Sequence, residues 1–351
     1  MFSENPAQIM ALIHSGKLVN IGGRPVLVPT PNSPASVSHR GDRIKVLFAF
    51  AAIYLVWGST YLAIRYAVET IPPLITAGIR HTFAGGILMA WALARGYRPR
   101  REHWIAGAIV GAFYFLICHG SLHWAEQHVN SGMAALLTAT EPMFILMLAW
   151  ASGQQKISRT SALGLASGAV GVAILTGGEL SARGTSLLGL IAVLVGALSW
   201  AAGVVVSPKL KLPEQAIART AVPLVCGAAM LLTTAGITGE FHALHWSAIS
   251  SRSILGLAYL ITFGSIVAFT AYTWLLQRCP PTLVATHTYV NPIVAVLLGW
   301  LLASEPLNSR IVIASTAILG AIVLIRRGER ATEHREPAPA AADEESVEQC
   351  A

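Results

Sequence analysis

Ten apolar stretches, each about the length one helix needs to cross ~30 Å of hydrocarbon, occupy residues 44 to 326. They run over 44–66, 74–95, 104–125, 129–151, 158–177, 186–207, 216–238, 253–276, 281–303 and 309–326. In lipid every peptide N–H and C=O must find a partner inside the protein, and a helix satisfies its own. The pattern therefore predicts an all-α polytopic membrane protein with ten transmembrane helices. Composition agrees, since 54% of the 351 residues are hydrophobic and 12% are charged. A soluble domain carries about twice that charge.

Loop charges orient the helices. Arg40, Arg43 and Lys45 precede the first stretch, and Arg95, Arg98, Arg100 and Arg101 fill the second loop. Lys156 and Arg159, then Lys209, Lys211 and Arg219, then Arg278, and finally Arg326, Arg327 and Arg330 continue the alternation. The opposite loops hold Glu69, Glu126, Glu179 and Glu240, with Arg183, Arg252 and Arg310 as their cations. Retention of positive charge in the cytosol predicts a multi-pass inner-membrane (plasma-membrane) protein with both termini cytoplasmic. The net charge of +7 thus sits in short loops and forms no basic face for nucleic acid. Residues 1–43 are rich in Pro, Gly and Ser and read as a disordered cytosolic arm; residues 327–351 read as a disordered tail.

A shift of 150 residues superposes the third and fourth stretches on the eighth and ninth without a gap. Trp124 meets Trp274, Gln127 meets Gln277, Thr138 meets Thr288, Pro142 meets Pro292 and Trp150 meets Trp300. Trp57 in VWGST answers Trp200 in LSWAAG. The repeat unit is five helices, over 44–177 and 186–326. An odd number forces the second copy to enter the membrane the other way up. Inverted repeats mark secondary transporters, with the solute site near the midplane between the repeats.

The segments WGSTYLAIRYA, ALLTATEP, GALSWAAG, FGSIVAFTAYTWLLQ and ATHTYVNPIVAVLLGWLLASEPLNS resemble the EamA family of the drug/metabolite transporter superfamily, most closely its bacterial inner-membrane permeases. The resemblance covers residues 44 to 326. It implies two inverted five-helix EamA repeats around a central cavity lined mostly by helices one to four and six to nine, with five and ten peripheral. It also implies export or exchange of small metabolites, often amino acids or related solutes. The glutamate that ends the family's fourth helix stands in the second repeat as Glu305; the first repeat has Gln155 there.

Polar residues inside the stretches are the candidate solute pathway. Glu141 lies about 18 Å down its helix, where a charged carboxylate costs at least ~2.5 kcal/mol. It must face a cavity, pair with a cation or take up a proton, which makes it the proton-coupling candidate. Pro142 and Pro292 predict kinks near mid-helix. Arg80 must find a carboxylate, carbonyls or water: it pairs with Glu141, grips a solute carboxylate or snorkels outward. Arg65, near a helix end, reads as snorkelling. His119 and His123 share a helix face, as do His287 and Asn291. Trp57, Trp200, Tyr272 and Tyr289 lie away from the interfacial belt and suit an aromatic cavity wall. The pathway expected is therefore Trp57, Arg80, His123, Glu141, Pro142, Trp200, Tyr272, His287, Tyr289, Asn291 and Pro292.

No GxSxG, HExxH or DxD pattern marks an enzyme, and no Walker A motif marks direct ATP use. No cofactor or metal is expected. The partners are a small-molecule solute and the lipid bilayer; a homodimer is compatible with the sequence, although a monomer suffices. The alternative to a transporter is a non-transporting membrane receptor or scaffold on the same fold, which a vesicle flux assay separates.

Overall fold

The computed structural model describes residues 18–21, 24–27, 40–179, 186–276, 278–279, 281–284 and 286–333. Within the amino-terminal arm, expected to be disordered, β1 (Leu18–Ile21) and β2 (Arg24–Leu27) pair antiparallel with Leu18 opposite Leu27. This hairpin stands outside the all-α class; the described chain from residue 40 onward is helical between its turns. The rest of the arm and residues 334–351 lie outside the described residues.

Among the described residues the helices that follow group into ten segments. In the first repeat they are α1 (Arg40–Ala67), α2 (Pro73–Ala94), α3 (Arg101–Ala125), α4 (Ser131–Ala151) and α5 (Arg159–Glu179). In the second they are α6 (Leu187–Val206), α7 (Ala216–Ile237), α8 (Ser251–Leu276), α9 (Pro281–Ala303) and α10 (Ser309–Glu333). Eight are long and apolar enough to cross a membrane. The other two are α2, whose apolar run is diluted by Arg80 and His81, and α9, whose continuous part is the shorter His287–Ala303. The last helix continues past the apolar block and into the expected tail, as far as Glu333.

The packing exchanges the repeats pairwise. α1 lies against α8 and α9, as α6 lies against α3 and α4; α2 meets α8, as α7 meets α3. α2 pairs with α7, and α5 with α10. Every one of these contacts has its partner when first and second repeat are swapped, as a two-fold relation requires. Small residues make the closest approaches, since lipid tails offer no hydrophobic drive to helix association. A Cβ on Gly164 of α5 would lie 2.8 Å from the Ala321 carbonyl of α10, and one on Gly111 of α3 would lie 2.7 Å from that of Pro223 in α7.

Two irregularities recur at matching places. Ala112–His119 of α3 and Leu260–Val267 of α8 are π-helical, a rare form that concentrates at functional sites. Both fourth helices of the repeats are broken, but differently. α4 stops at Thr138, turns through Ala139 and Thr140, and restarts at Glu141. Pro142 therefore sits in the first turn of a new half-helix, where its missing N–H has no partner to lose, and the kink expected in a continuous helix is a break. α9 breaks earlier, before His287, and Pro292 stays inside the continuous part.

Candidate functional site

A cavity of about 330 Å³ opens where the irregular segments of α3, α4, α8 and α9 converge. Its walls come from α1 to α4 and α6 to α9; no lining residue belongs to α5 or α10. Several lining residues are repeat partners at the 150-residue shift. Thr138 and Thr288, Glu141 and Asn291, and Pro142 and Pro292 all line it, as do Phe115 with Ser265, His119 with Phe269 and Leu122 with Tyr272. Trp57 and Trp200 complete the set. The two halves thus present the same faces to one another.

The π segments explain how the walls are tied. A π-helical turn leaves a carbonyl without its usual donor. In α8 the Gly264 carbonyl accepts from Trp57 Nε1 at 3.0 Å; in α3 the Phe113 carbonyl accepts from Ser199 Oγ at 2.8 Å. Each freed carbonyl is taken by the first helix of the other repeat. The Trp57 ring packs against Tyr272 (5.2 Å between centroids) and His287 (4.9 Å). Trp200 stacks on Tyr114 (4.1 Å) and lies parallel to His119 (6.0 Å).

Arg80 is 7% exposed and lines the cavity, so it does not snorkel. Its Nε donates to Ser265 Oγ at 3.2 Å. The Glu141 carboxylate makes no ion pair or hydrogen bond among the described residues, and the pairing of Arg80 with Glu141 considered from the sequence is not made. Both charges come from the first repeat; at the position matching Glu141 the second supplies the neutral Asn291. Asn291, with its amide nitrogen turned toward the carbonyls, donates to His287 (3.0 Å) and Tyr54 (3.2 Å). His287 Nδ1 lies 2.9 Å from the Val284 carbonyl.

Nine of the eleven expected pathway residues line the cavity: Trp57, Arg80, Glu141, Pro142, Trp200, Tyr272, His287, Asn291 and Pro292. His123 and Tyr289 do not. His123 is 0% exposed behind the wall, and its helix neighbour His119 takes the lining position. Tyr289 packs against the main apolar core. Sequence reasoning missed Tyr61, Thr60 and His81; of these, His81 lies 2.7 Å (Nε2) from His119 Nδ1. Three- and four-residue spacing from Trp57 would have found Thr60 and Tyr61.

Away from the cavity, two carboxylates tie the repeats together by binding helix N-termini. Ser304 adopts the left-handed conformation (φ 54°), which folds Glu305 back beneath α9. Glu305 then accepts from Ser131 N (2.8 Å), Ser131 Oγ (2.9 Å) and Gly132 N (3.0 Å), where the dipole of α4 favours an anion. Arg65 reaches it at 3.4 Å and also donates to the Val129 carbonyl and Asn130 Oδ1. The snorkelling expected for Arg65 is replaced by this network. Glu240 likewise accepts from Leu74 N (2.9 Å) and Ile75 N (3.1 Å) at the start of α2.

A multi-helix bundle with exchanged repeats and a chamber between them, largely apolar but holding an arginine and a glutamate, is the architecture of a membrane transporter. The chain belongs to the EamA-like transporter family, whose model matches it twice, over residues 44–177 and 187–327. It is 37% identical over 285 residues to the inner membrane transporter YedA of Escherichia coli (strain K12), covering 80% of this chain and 90% of that protein. The transporter YoaV of Bacillus subtilis (strain 168) is 27% identical, with 78% and 94% covered. A solved crystal structure at 21% identity matches with a TM-score of 0.55 over 82% of this chain and 99% of its own, which supports the fold.

Proposed function

We propose that this transporter is a secondary carrier that moves small metabolites across the inner membrane by alternating access, as an exporter or exchanger of amino acids or related solutes. Both termini face the cytosol in this reading, on the charge bias of the loops. The observation that carries it is the cavity itself, built from matched faces of two oppositely inserted repeats and holding Arg80 and Glu141 unpaired. Rocking one repeat against the other alternately closes each end of such a chamber. A solute with a carboxylate meets a fixed guanidinium at Arg80, aromatic faces at Trp57, Tyr272 and Trp200, and a proton-exchanging group at Glu141.

Metabolite profiling of the medium from cells with and without the chain identifies the solute, and counterflow into vesicles holding the purified protein tests transport. Flux above that of empty vesicles supports a carrier. Absence of flux for every accumulating solute favours the receptor or scaffold reading. Coupling is read by the pH dependence of that flux.

A further inference from the structure

The outer ends of α1, α3 and α4 hold buried charge that the cavity does not use. Glu126, in the turn that closes α3, is 2% exposed, and neither carboxylate oxygen has a hydrogen-bond partner. His123, one turn earlier, is 0% exposed; its Nδ1 lies 2.7 Å from the His119 carbonyl, and its Nε2 has no partner. A carbonyl only accepts, so Nδ1 carries the hydrogen and Nε2 is a bare acceptor. Residues three apart on a helix share a face. Bare acceptors of two buried side chains therefore stand three residues apart at this end of α3. A single proton on the Glu126 carboxyl supplies the donor and removes the charge.

The surroundings explain why no cation does so instead. From α1, Arg65 is held by Glu305 (3.4 Å) and by the Val129 and Asn130 oxygens, and the neutral Tyr61 phenol is also within electrostatic reach of Glu126. From α2, Arg80 is turned to Ser265, and His81 bonds His119 on the cavity side. From α4, Glu141 faces the cavity. Burial pushes the Glu126 carboxyl well above the usual carboxylate range; the negative charge of Glu305 adds to this, and Arg65 opposes it. One arginine thus stands between two carboxylates, and the closed outer end satisfies one of them.

We propose that Glu126 and His123 form a buried proton-binding site at the outer gate, filled while Glu305 holds Arg65 and emptied when the gate opens and Arg65 turns to Glu126. On opening, the carboxyl O–H bond breaks, its proton passes to outer water, and the carboxylate left behind pairs with the freed guanidinium. The site is separate from Glu141, and its place in a cycle rests on the alternating-access reading above. The gate then senses outer pH whatever solute is carried, because a proton that binds one state better shifts the population toward it.

The test uses the full chain in vesicles of phosphatidylethanolamine and phosphatidylglycerol, with spin labels at exposed His128 and Leu307 on either side of the gate. Double electron–electron resonance reads the distance between about pH 5 and about pH 8. The closed-to-open ratio is expected to rise as pH falls, by up to about tenfold per pH unit for one linked proton. Glu126→Gln should stay closed and pH-flat, and Glu126→Asp should remain pH-responsive, a safeguard if the amide misfolds. His123→Leu, which removes the acceptor that steadies the neutral carboxyl, should move the midpoint to lower pH. A wild-type distance that ignores pH, or a Glu126→Gln variant that keeps the wild-type response, overturns the proposal. Loss of the response in Glu141→Gln with retention in Glu126→Gln also overturns it while leaving the transport reading intact. That reading fails separately, by absence of solute flux.

Discussion

Glu141 and Arg80 are the carboxylate and the guanidinium among the residues that line the cavity, and each makes a distinct prediction. Glu141 has no cation beside it, so its charge is tolerable only through water, a bound solute or a proton. Glu141→Gln, which is nearly isosteric, is expected to keep binding but lose the part of the pH dependence of flux that Glu126 does not carry. Unchanged pH dependence in vesicles rules out the coupling role. Arg80 offers a planar fork that a lysine lacks. Arg80→Lys should therefore lower kcat/KM for anionic solutes by roughly tenfold, the worth of one charge-assisted hydrogen bond, and spare neutral ones. Equal loss for both classes assigns Arg80 to the scaffold through Ser265.

At the scale of elements, the irregular turns make the site. A continuous α-helix offers a cavity no free backbone group, whereas the π segments of α3 and α8 and the breaks of α4 and α9 free carbonyls and helix ends there. These features persist because neighbouring helices approach closely enough to bond them, as Trp57 does at Gly264. Close approach is therefore testable at glycine. At Gly111 a methyl group would lie 2.7 Å from the Pro223 carbonyl and 2.9 Å from the Gly227 amide, backbone on both sides. Gly111→Ala should cost about 1–3 kcal/mol, read as a lower melting temperature in detergent. At Gly86 nothing lies within 4 Å, and Gly86→Ala should leave the melting temperature unchanged or raised.

For the whole molecule, the main helix pairings obey the two-fold exchange but the chemistry does not. Glu305, just past α9, is tied to the start of α4, whereas the position matching it in the first repeat is the neutral Gln155. Removing one partner from a buried, hydrogen-bonded charge pair typically costs about 3–5 kcal/mol. Glu305→Ala should therefore lower thermal stability by an amount of that order and widen the outer end in spin-label distances. A variant as stable and as closed as the wild type would remove the latch. Access provides a second test, in a Cys118→Ser background because Cys118 itself lines the cavity. Thr138→Cys and Thr288→Cys should react with a water-soluble thiol reagent, and Leu163→Cys and Val170→Cys on the exposed face of α5 should not.

The fold was legible because lipid leaves so few options. Block length, loop charge and the 150-residue register each constrain helices whose backbone cannot be satisfied otherwise. The charged part of the cavity wall was legible for the same reason: an Arg80 or a Glu141 at membrane depth must face something wet. Which of two neighbouring histidines faces the chamber was not legible. His119 lies level with the chamber, whereas His123, one turn nearer the helix end, is buried and does not line it; where the chamber ends along a helix has no sequence period. Nor could Arg65 and Glu305, 240 residues apart, be paired from the chain alone, because their meeting depends on how two repeats close. Sequence determined what must be buried or wetted; only the tertiary structure decided which partner each buried charge would find.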